Sequence, residues 1–438
     1  MKTVDLLTST RINGILRQAQ DVPKGAEQSR SKLNRTIKFY TLGCKVNQYD
    51  TQCINEKFLS QGFKESADLD KAGTCLINTC SVTSSADRKS RSIIRQCIKG
   101  NPSAKIIVTG CLVKKDYLSL GEIPGIDLIV SRAFFPEGIS GFSGHTRAFL
   151  KIQDGCNNFC AYCKVPLIRG RSRSKPLERI IAEAQQLVKN GFKEIVLSGI
   201  CLGSYGKDLS PKANLLEVIE AIEKINGLWR IRLSSIEVRD ISRELIAKIA
   251  GSQKLCRHLH IPLQSGDDQV LKNMQRSYSR NDYLSLIRRI RKKIPDIAIT
   301  TDCLIGFPTE SEDHFQHTLE TIKEVLPLKV HIFPYSKREG TAAARNFHQQ
   351  LKPEVVKERF YRLKKEAAFL SLAYQRRFLD RDLAVLMEAR PKDDPYFWEG
   401  HSSNYLKVRV KSKKNLKNQL IPVRLKKITK DYILGMIG

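Results

Sequence analysis

The chain has 438 residues, 41% hydrophobic and 27% charged, a globular balance with room for two to four domains. It has no run of 18 apolar residues, which argues against a membrane-spanning helix. Lys and Arg number 75 against 45 acids, a net charge of +30 that fits a polyanionic partner such as nucleic acid.

Residues 1–35 lack the apolar core of a secretory signal and carry Asp5, Asp21 and Glu27. They read as a flexible extension, and a cytoplasmic location is expected. Twelve cysteines in such a chain point to metal or redox chemistry rather than disulfides.

From Ile37 onward β-type runs alternate with helical patterns. IKFYTLG, TCLINT, AKIIVTG and IDLIV are the first four strands, with helices between them, which predicts a parallel α/β domain over 36–144. A second series, RAFLKI, EIVLSG, WRIRLS, HLHIPL, AITTDCLI and KVHIFPY, spans 145–374. Its helix from Leu215 to Asn226 shows a 3.6-residue apolar period behind an Asn214 cap. Six βα units fall short of the eight that close a barrel, so an open, partial barrel is expected, with a doubly wound sheet as the alternative. A long helix then leads into 375–438. There NYLKVRVK places Leu406, Val408 and Val410 on one face and Lys407, Arg409 and Lys411 on the other, and IPVRLKKI and DYILGMI suggest a small β-barrel. The fold class is therefore α/β with a small all-β C-terminal domain.

The cysteines carry the chemistry. Cys44, Cys80 and Cys111 each follow the end of a strand, in TLGCKV, INTCSV and VTGCLV. In a parallel sheet those three points share the carboxyl edge, where α/β sheets bind ligands. Cys53, Cys75 and Cys97 lie inside elements and read as core. Cys156, Cys160 and Cys163 form a C-x3-C-x2-C loop after the first strand of the second series. A structural zinc site wants four ligands, and no fourth Cys or His stands at finger spacing. A cubane iron–sulfur cluster holding three thiolates and one open iron fits better.

The segment GCNNFCAYC resembles the signature of radical S-adenosylmethionine (SAM) enzymes. Together with TLGCKVNQYD, GICLGSYG, HLHIPLQSGDDQVLKNMQR and IFPYSKREGTAA, in that order, it resembles the methylthiotransferases over about residues 36–438. GFPTE departs from that family's usual glycine at Thr309. The resemblance implies two [4Fe–4S] clusters, one on Cys156, Cys160 and Cys163 with SAM on its open iron, and one on Cys44, Cys80 and Cys111 holding the sulfur to be transferred. It also implies a 5′-deoxyadenosyl radical, an external electron donor and an external sulfur source. Strand-end position makes Ser198, Gly199, Ser234 and Gln264 candidates for SAM contact, with Ser235, Ser265 and Asp302, and Tyr162 sits inside the cluster loop.

Two substrate classes remain open, an adenosine in tRNA or an aspartate of a ribosomal protein. From His401 onward ten Lys or Arg face a single acid, Asp431, and this segment resembles the TRAM domain, an RNA-binding β-barrel. Lys407, Arg409 and Lys411 there, and Arg169, Arg171 and Arg173 in RGRSRS, are candidate phosphate contacts. GCKVNQ with GICLGSYG resembles the branch that adds a methylthio group to C2 of threonylcarbamoyladenosine, rather than isopentenyladenosine, next to the anticodon. A monomer is expected. The rival from another class is a non-enzymatic RNA-binding module with structural zinc.

Overall fold

The computed structural model describes residues 35–131 and 138–437; the expected extension at 1–35 lies almost wholly outside them. The described residues form two compact units. One runs to Gly141 and includes Lys164–Gly170; the other comprises Phe142–Cys163 and the chain from Arg171 onward.

In the first unit five parallel strands lie in the order β2-β1-β3-β4-β5. These are β1 (Thr36–Thr41), β2 (Lys64–Glu65), β3 (Thr74–Thr79), β4 (Lys105–Gly110) and β5 (Leu128–Ile129). Helices α1 (Lys45–Ser60), α2 (Ser84–Gly100) and α3 (Cys111–Gly121) connect them, and α4 (Val165–Arg169) joins from later in the chain. Every residue of β3 is buried, because the sheet is covered on both sides. Ile37, Leu76 and Ile107 pack with Phe58 and Phe63 on one side, and Cys75, Ile77, Ile106 and Val108 with Ile94 and Leu112 on the other.

The second unit holds six parallel strands: β6 (Arg147–Lys151), β9 (Glu194–Ser198), β10 (Arg230–Leu233), β11 (His258–His260), β12 (Ala298–Ile305) and β13 (Lys329–Pro334). They fall into two three-stranded sheets, β6-β9-β10 and β11-β12-β13, linked by the single bridges Ile231–Leu255 and Ser235–His260. Six strands in this order make the partial barrel that the alternation suggested. A short ribbon, β7 (Gln153–Asp154) with β8 (Arg173–Ser174), follows the first strand. Among the connecting helices are α5 (Leu177–Lys189), α6 (Leu215–Glu223), α7 (Arg243–Gly251), α8 (Asp268–Asn273), α9 (Arg280–Lys293), α10 (Glu312–Val325) and α11 (Ala342–Asn346). Asn214 caps α6 as expected, its Oδ1 accepting from Leu216 and Glu217 N–H, but the helix stops three residues short of Asn226.

The 24-residue helix α12 (Pro353–Arg376) leads to a closed barrel of β14 (Asp382–Ala389), β15 (Phe397–Ser402), β16 (Lys407–Lys411), β17 (Leu420–Ile428) and β18 (Ile433–Ile437). Closure leaves no free sheet edge. Val385, Met387, Trp398, Val408, Val410, Val423 and Leu425 fill its interior, with Tyr374 and Phe378 packed against them.

The barrel docks on the β6-β9-β10 sheet through a buried ionic joint. Glu194 is wholly buried, with Arg232 Nε at 2.7 Å, Arg230 Nη1 at 3.8 Å and Arg147 Nη1 at 3.9 Å. The same arginines donate to backbone carbonyls of the barrel, Arg230 to His401 at 2.8 Å and Arg232 to Ser402 and Ser403 at 3.2 and 3.1 Å. Tyr405 lies with its ring 4.7 Å from the Arg232 guanidinium. Burial disfavours the Glu194 charge, but Arg232, Arg147 and Arg230 outweigh it and hold the carboxyl down to about 2.

Candidate functional site

In the first unit the three strand-end cysteines gather around Asn47. Cys44 is the N-cap of α1, so Asn47 stands three residues on, near it on the first turn. Asn47 is fully buried; its Nδ2 donates to Leu42 O at 2.7 Å and Thr79 O at 3.0 Å, which ties α1 to the ends of β1 and β3. Its Oδ1 accepts from Cys111 Sγ at 3.8 Å and from the Arg169 guanidinium.

Two glycines let the backbones come this close. Gly43 has φ +96°, and a Cβ there would sit 2.9 Å from Cys80 Sγ. Gly110 has φ +102°, and its Cβ would meet Thr79 O at 2.4 Å. Burial pushes the Cys80 thiol up to about 11, with Cys111 and Cys44 adding to the rise and Arg169 opposing it. Cys80 therefore lies within electrostatic reach of both other thiols.

In the second unit the loop Cys156–Cys163 follows β7 and is fastened on both sides. Ala161 N–H donates to Met274 O at 2.9 Å, and Ala161 O accepts from Ala343 N–H at 2.7 Å. Each of two cysteines has its own hydrogen-bond donor. Arg276 Nη1 reaches Cys160 Sγ at 3.1 Å, and Asn158 N–H reaches Cys156 Sγ at 3.3 Å. Arg276 is fixed by Glu237 and lies 4.9 Å from the Tyr278 ring centre. Burial opposes its charge, yet Tyr278, Tyr162, Glu237 and Cys160 keep it firmly cationic.

Cys201, beyond the end of β9, has its thiol against Cys156, and this hydrogen bond is the leading cause that lowers the Cys156 pKa. Cys201 Sγ is also 3.1 Å from Ser204 Oγ and accepts from Asn158 Nδ2 at 3.6 Å. Its backbone N–H donates to Gln153 Oε1 at 2.8 Å.

The donor sets discriminate between metals. Among the described residues, only His260, Asp302 and His331 bring three ligand atoms together at single-ion spacing; neither cysteine trio does. A trio of thiolates suits a multi-iron cluster, in which each takes a different iron. For SAM, the telling atom is Ser234 Oγ, buried just beyond β10 and without a hydrogen-bond partner among the described residues. A buried hydroxyl left unsatisfied suits a ligand with polar groups.

The other candidates behave differently. Ser198 Oγ turns back to Leu150 O at 3.2 Å, so it is committed to the sheet. Gly199 allows close approach, since a Cβ there would lie 2.9 Å from Gln153 Oε1. Gln264 adopts φ +67° while its main chain bonds Asp302 O and Leu304 N. Tyr162 packs against Val270, Met274, Leu304 and Phe307.

Two of the candidate phosphate contacts need correction. Arg169 is buried and engaged by Asn47 and Asp50, which removes it from an outward-facing set. Arg409 lies under Tyr432, 4.1 Å from its ring centre, and is paired with Glu399 at 2.9 Å and Asp393 at 2.8 Å. Lys407 is shared with Glu399 at 3.0 Å. Arg171, Arg173 and Lys411 are exposed, as are Lys413, Lys414 and Lys417 beyond β16.

Asn47 and Arg276 were missed as site residues. Both stand in quoted motif blocks, GCKVNQ and LKNMQR, but only the folded contacts give them a role.

Comparison with known proteins agrees with this geometry. Residues 150–322 match the radical SAM superfamily, and residues 36–131 match "Uncharacterized protein family UPF0004". A Bacillus subtilis threonylcarbamoyladenosine tRNA methylthiotransferase is 36% identical, the alignment covering 91% of this chain and 96% of that protein. A Thermotoga maritima protein of the same name is 36% identical, over 92% and 96%. A Clostridium tetani tRNA-2-methylthio-N6-dimethylallyladenosine synthase is 33% identical, over 91% and 94%. A solved radical SAM methyltransferase from Kitasatospora setae superposes with a TM-score of 0.51 at 12% identity, over 71% of this chain and 77% of that one, a likeness of fold.

Proposed function

The chain belongs to the radical SAM methylthiotransferase family, and we propose that it adds a methylthio group to C2 of threonylcarbamoyladenosine beside the anticodon of tRNA. The observation that carries this reading is the Cys156–Cys163 loop at a barrel strand end, with three thiols and two positioned donors. The choice of nucleoside is supported by the names of the Bacillus and Thermotoga relatives and by GCKVNQ with GICLGSYG.

Cys156, Cys160 and Cys163 would hold a [4Fe–4S] cluster, and that group would supply the one-electron reducing chemistry with which SAM is used to open an otherwise inert C–H bond. A second cluster, on Cys44, Cys80 and Cys111, would supply the sulfur, and a second SAM the methyl group. The protein's own part is positional. Asn47 and the glycines at 43 and 110 hold three thiols at one sheet edge. Arg276 places positive charge on Cys160, and Ser234 offers a hydroxyl to the nucleoside or amino-acid end of SAM. Lys411, Lys413, Lys414 and Lys417, with Arg171 and Arg173, replace the buried arginines as the phosphate-facing set.

The test is mass spectrometry of nucleosides after anaerobic incubation with SAM, dithionite and tRNA lacking the methylthio group. Methylthio-threonylcarbamoyladenosine is the expected product. Product on isopentenyladenosine alone, or only on a ribosomal protein aspartate, overturns the assignment.

A further inference from the structure

A second constellation of metal-type donors uses none of the six trio cysteines and includes Asp302, itself a strand-end candidate for SAM contact. In the β11-β12-β13 sheet His260 pairs in register with Thr300, and Asp302 with His331. Thr301, between them, accepts from the Tyr283 hydroxyl of α9 at 3.2 Å and so faces the helices. Alternation sends Thr300 and Asp302 to the opposite face. His260 and His331 meet them there, their rings 5.6 Å apart.

Three observations point to one ion. One ligand atom from each of His260, Asp302 and His331 falls within 4.8 Å of the others. His260 Nε2 and Asp302 Oδ2 are 3.1 Å apart, close to the spacing of about 3 Å that adjacent ligands take around a cation with bonds of about 2.1 Å. Thr300 Oγ1 holds His260 Nδ1 at 2.9 Å and is itself held by His258 Nε2 at 3.0 Å. That outer hydrogen bond orients the ring so that Nε2 points at the other donors, as the partners of metal-bound histidines do.

We propose that His260, Asp302 and His331 form a mononuclear site for a divalent first-row cation. Two imidazoles and one carboxylate suit Mn2+, Fe2+ or Zn2+, with further positions open to water or to a ligand. The side chains are neither sealed nor free, at 13% and 23% exposure for His260 and Asp302, so an ion has access and some shelter. The proposal is independent of the assigned nucleoside.

The probe is Mn2+, which has little liking for thiolates and leaves the cysteines alone. Cluster-loaded, anaerobic protein is titrated with Mn2+, and the electron paramagnetic resonance signal of the free aqua ion is followed. One Mn2+ per chain is expected, displaced by Zn2+. Asp302→Asn and His331→Gln should each weaken binding at least tenfold, while Thr300→Val weakens it about tenfold at unchanged stoichiometry. Mn2+ that stays free of the wild-type protein at 1 mM overturns the site and leaves His260 and Asp302 as a simple hydrogen-bonded pair. Equal affinity in the wild type and all three variants overturns it as well.

Discussion

Glu194→Gln removes the fully buried carboxylate that faces Arg147, Arg230 and Arg232, while Arg147 keeps a second acid, Glu388, at 3.2 Å. Breaking a buried ion pair by deleting one partner costs about 3–5 kcal/mol, because the remaining charge stays desolvated. The carboxyl itself gives a similar figure. Its fall from 4.5 to about 2 is worth about 3 kcal/mol at about 1.4 kcal/mol per unit. Urea unfolding followed by the fluorescence of Trp398, inside the C-terminal barrel, and Trp229, beside β10, should therefore show a loss of about 3 kcal/mol at pH 7. The pH dependence provides a second check. A carboxyl depressed in the folded state contributes fully above its unfolded value and loses that contribution as pH falls toward about 2. The gap between wild type and variant should stay constant from pH 7 to about 5 and then close. A variant within about 0.5 kcal/mol of wild type at pH 7 would show that the three arginines do not depend on the Glu194 charge.

Arg276→Gln removes a cationic donor from Cys160, so the cluster's midpoint potential should become more negative, by about 59 mV for each tenfold loss of stabilisation of the reduced state. Arg276→Lys should recover part of the shift; identical potentials in all three proteins would dismiss the contact. Cys156→Ala should abolish SAM cleavage while Cys201→Ala retains it, as measured by 5′-deoxyadenosine release; the reverse pattern would make Cys201 the ligand. Gly110→Ala forces a side chain against Thr79 O at a positive φ, and iron content should fall from about eight toward about four per chain, with SAM cleavage preserved. Full iron would mean the site tolerates the strain. Replacing Lys413, Lys414 and Lys417 together with Gln should lower the salt dependence of tRNA binding by about two to three units of slope, and an unchanged slope would place the phosphates elsewhere.

Much of the fold was legible because its signals are local. Short β-type runs alternating with helices gave the parallel sheets, and a cysteine directly after each of three strands marked the thiol trio. Charge was less legible. The alternation in NYLKVRVK correctly buries Val408 and Val410, but Arg409 is covered from outside by its cross-strand neighbour Glu399 and by Tyr432. Arg169 sits in a basic run that reads as surface, yet Asp50, far away in sequence, draws it inward. Strands β14 and β15 were not singled out, because DLAVLMEA and FWEGHS alternate poorly and owe their pairing to barrel closure. Cys201 gave no sign of touching Cys156, since that contact exists only once two strand ends are neighbours.

The joint at Glu194 also bears on modularity. A C-terminal barrel transplanted from a relative would bring its own backbone carbonyls at positions 401–403 and its own ring at 405, while the acceptor sheet kept arginines spaced for the native ones. Chimeras cut at the end of the long helix should therefore misfit unless residues 147, 194, 230 and 232 travel with the graft. The segment behaves as an organ with its own root, and specificity cannot be exchanged by swapping its last sixty residues alone.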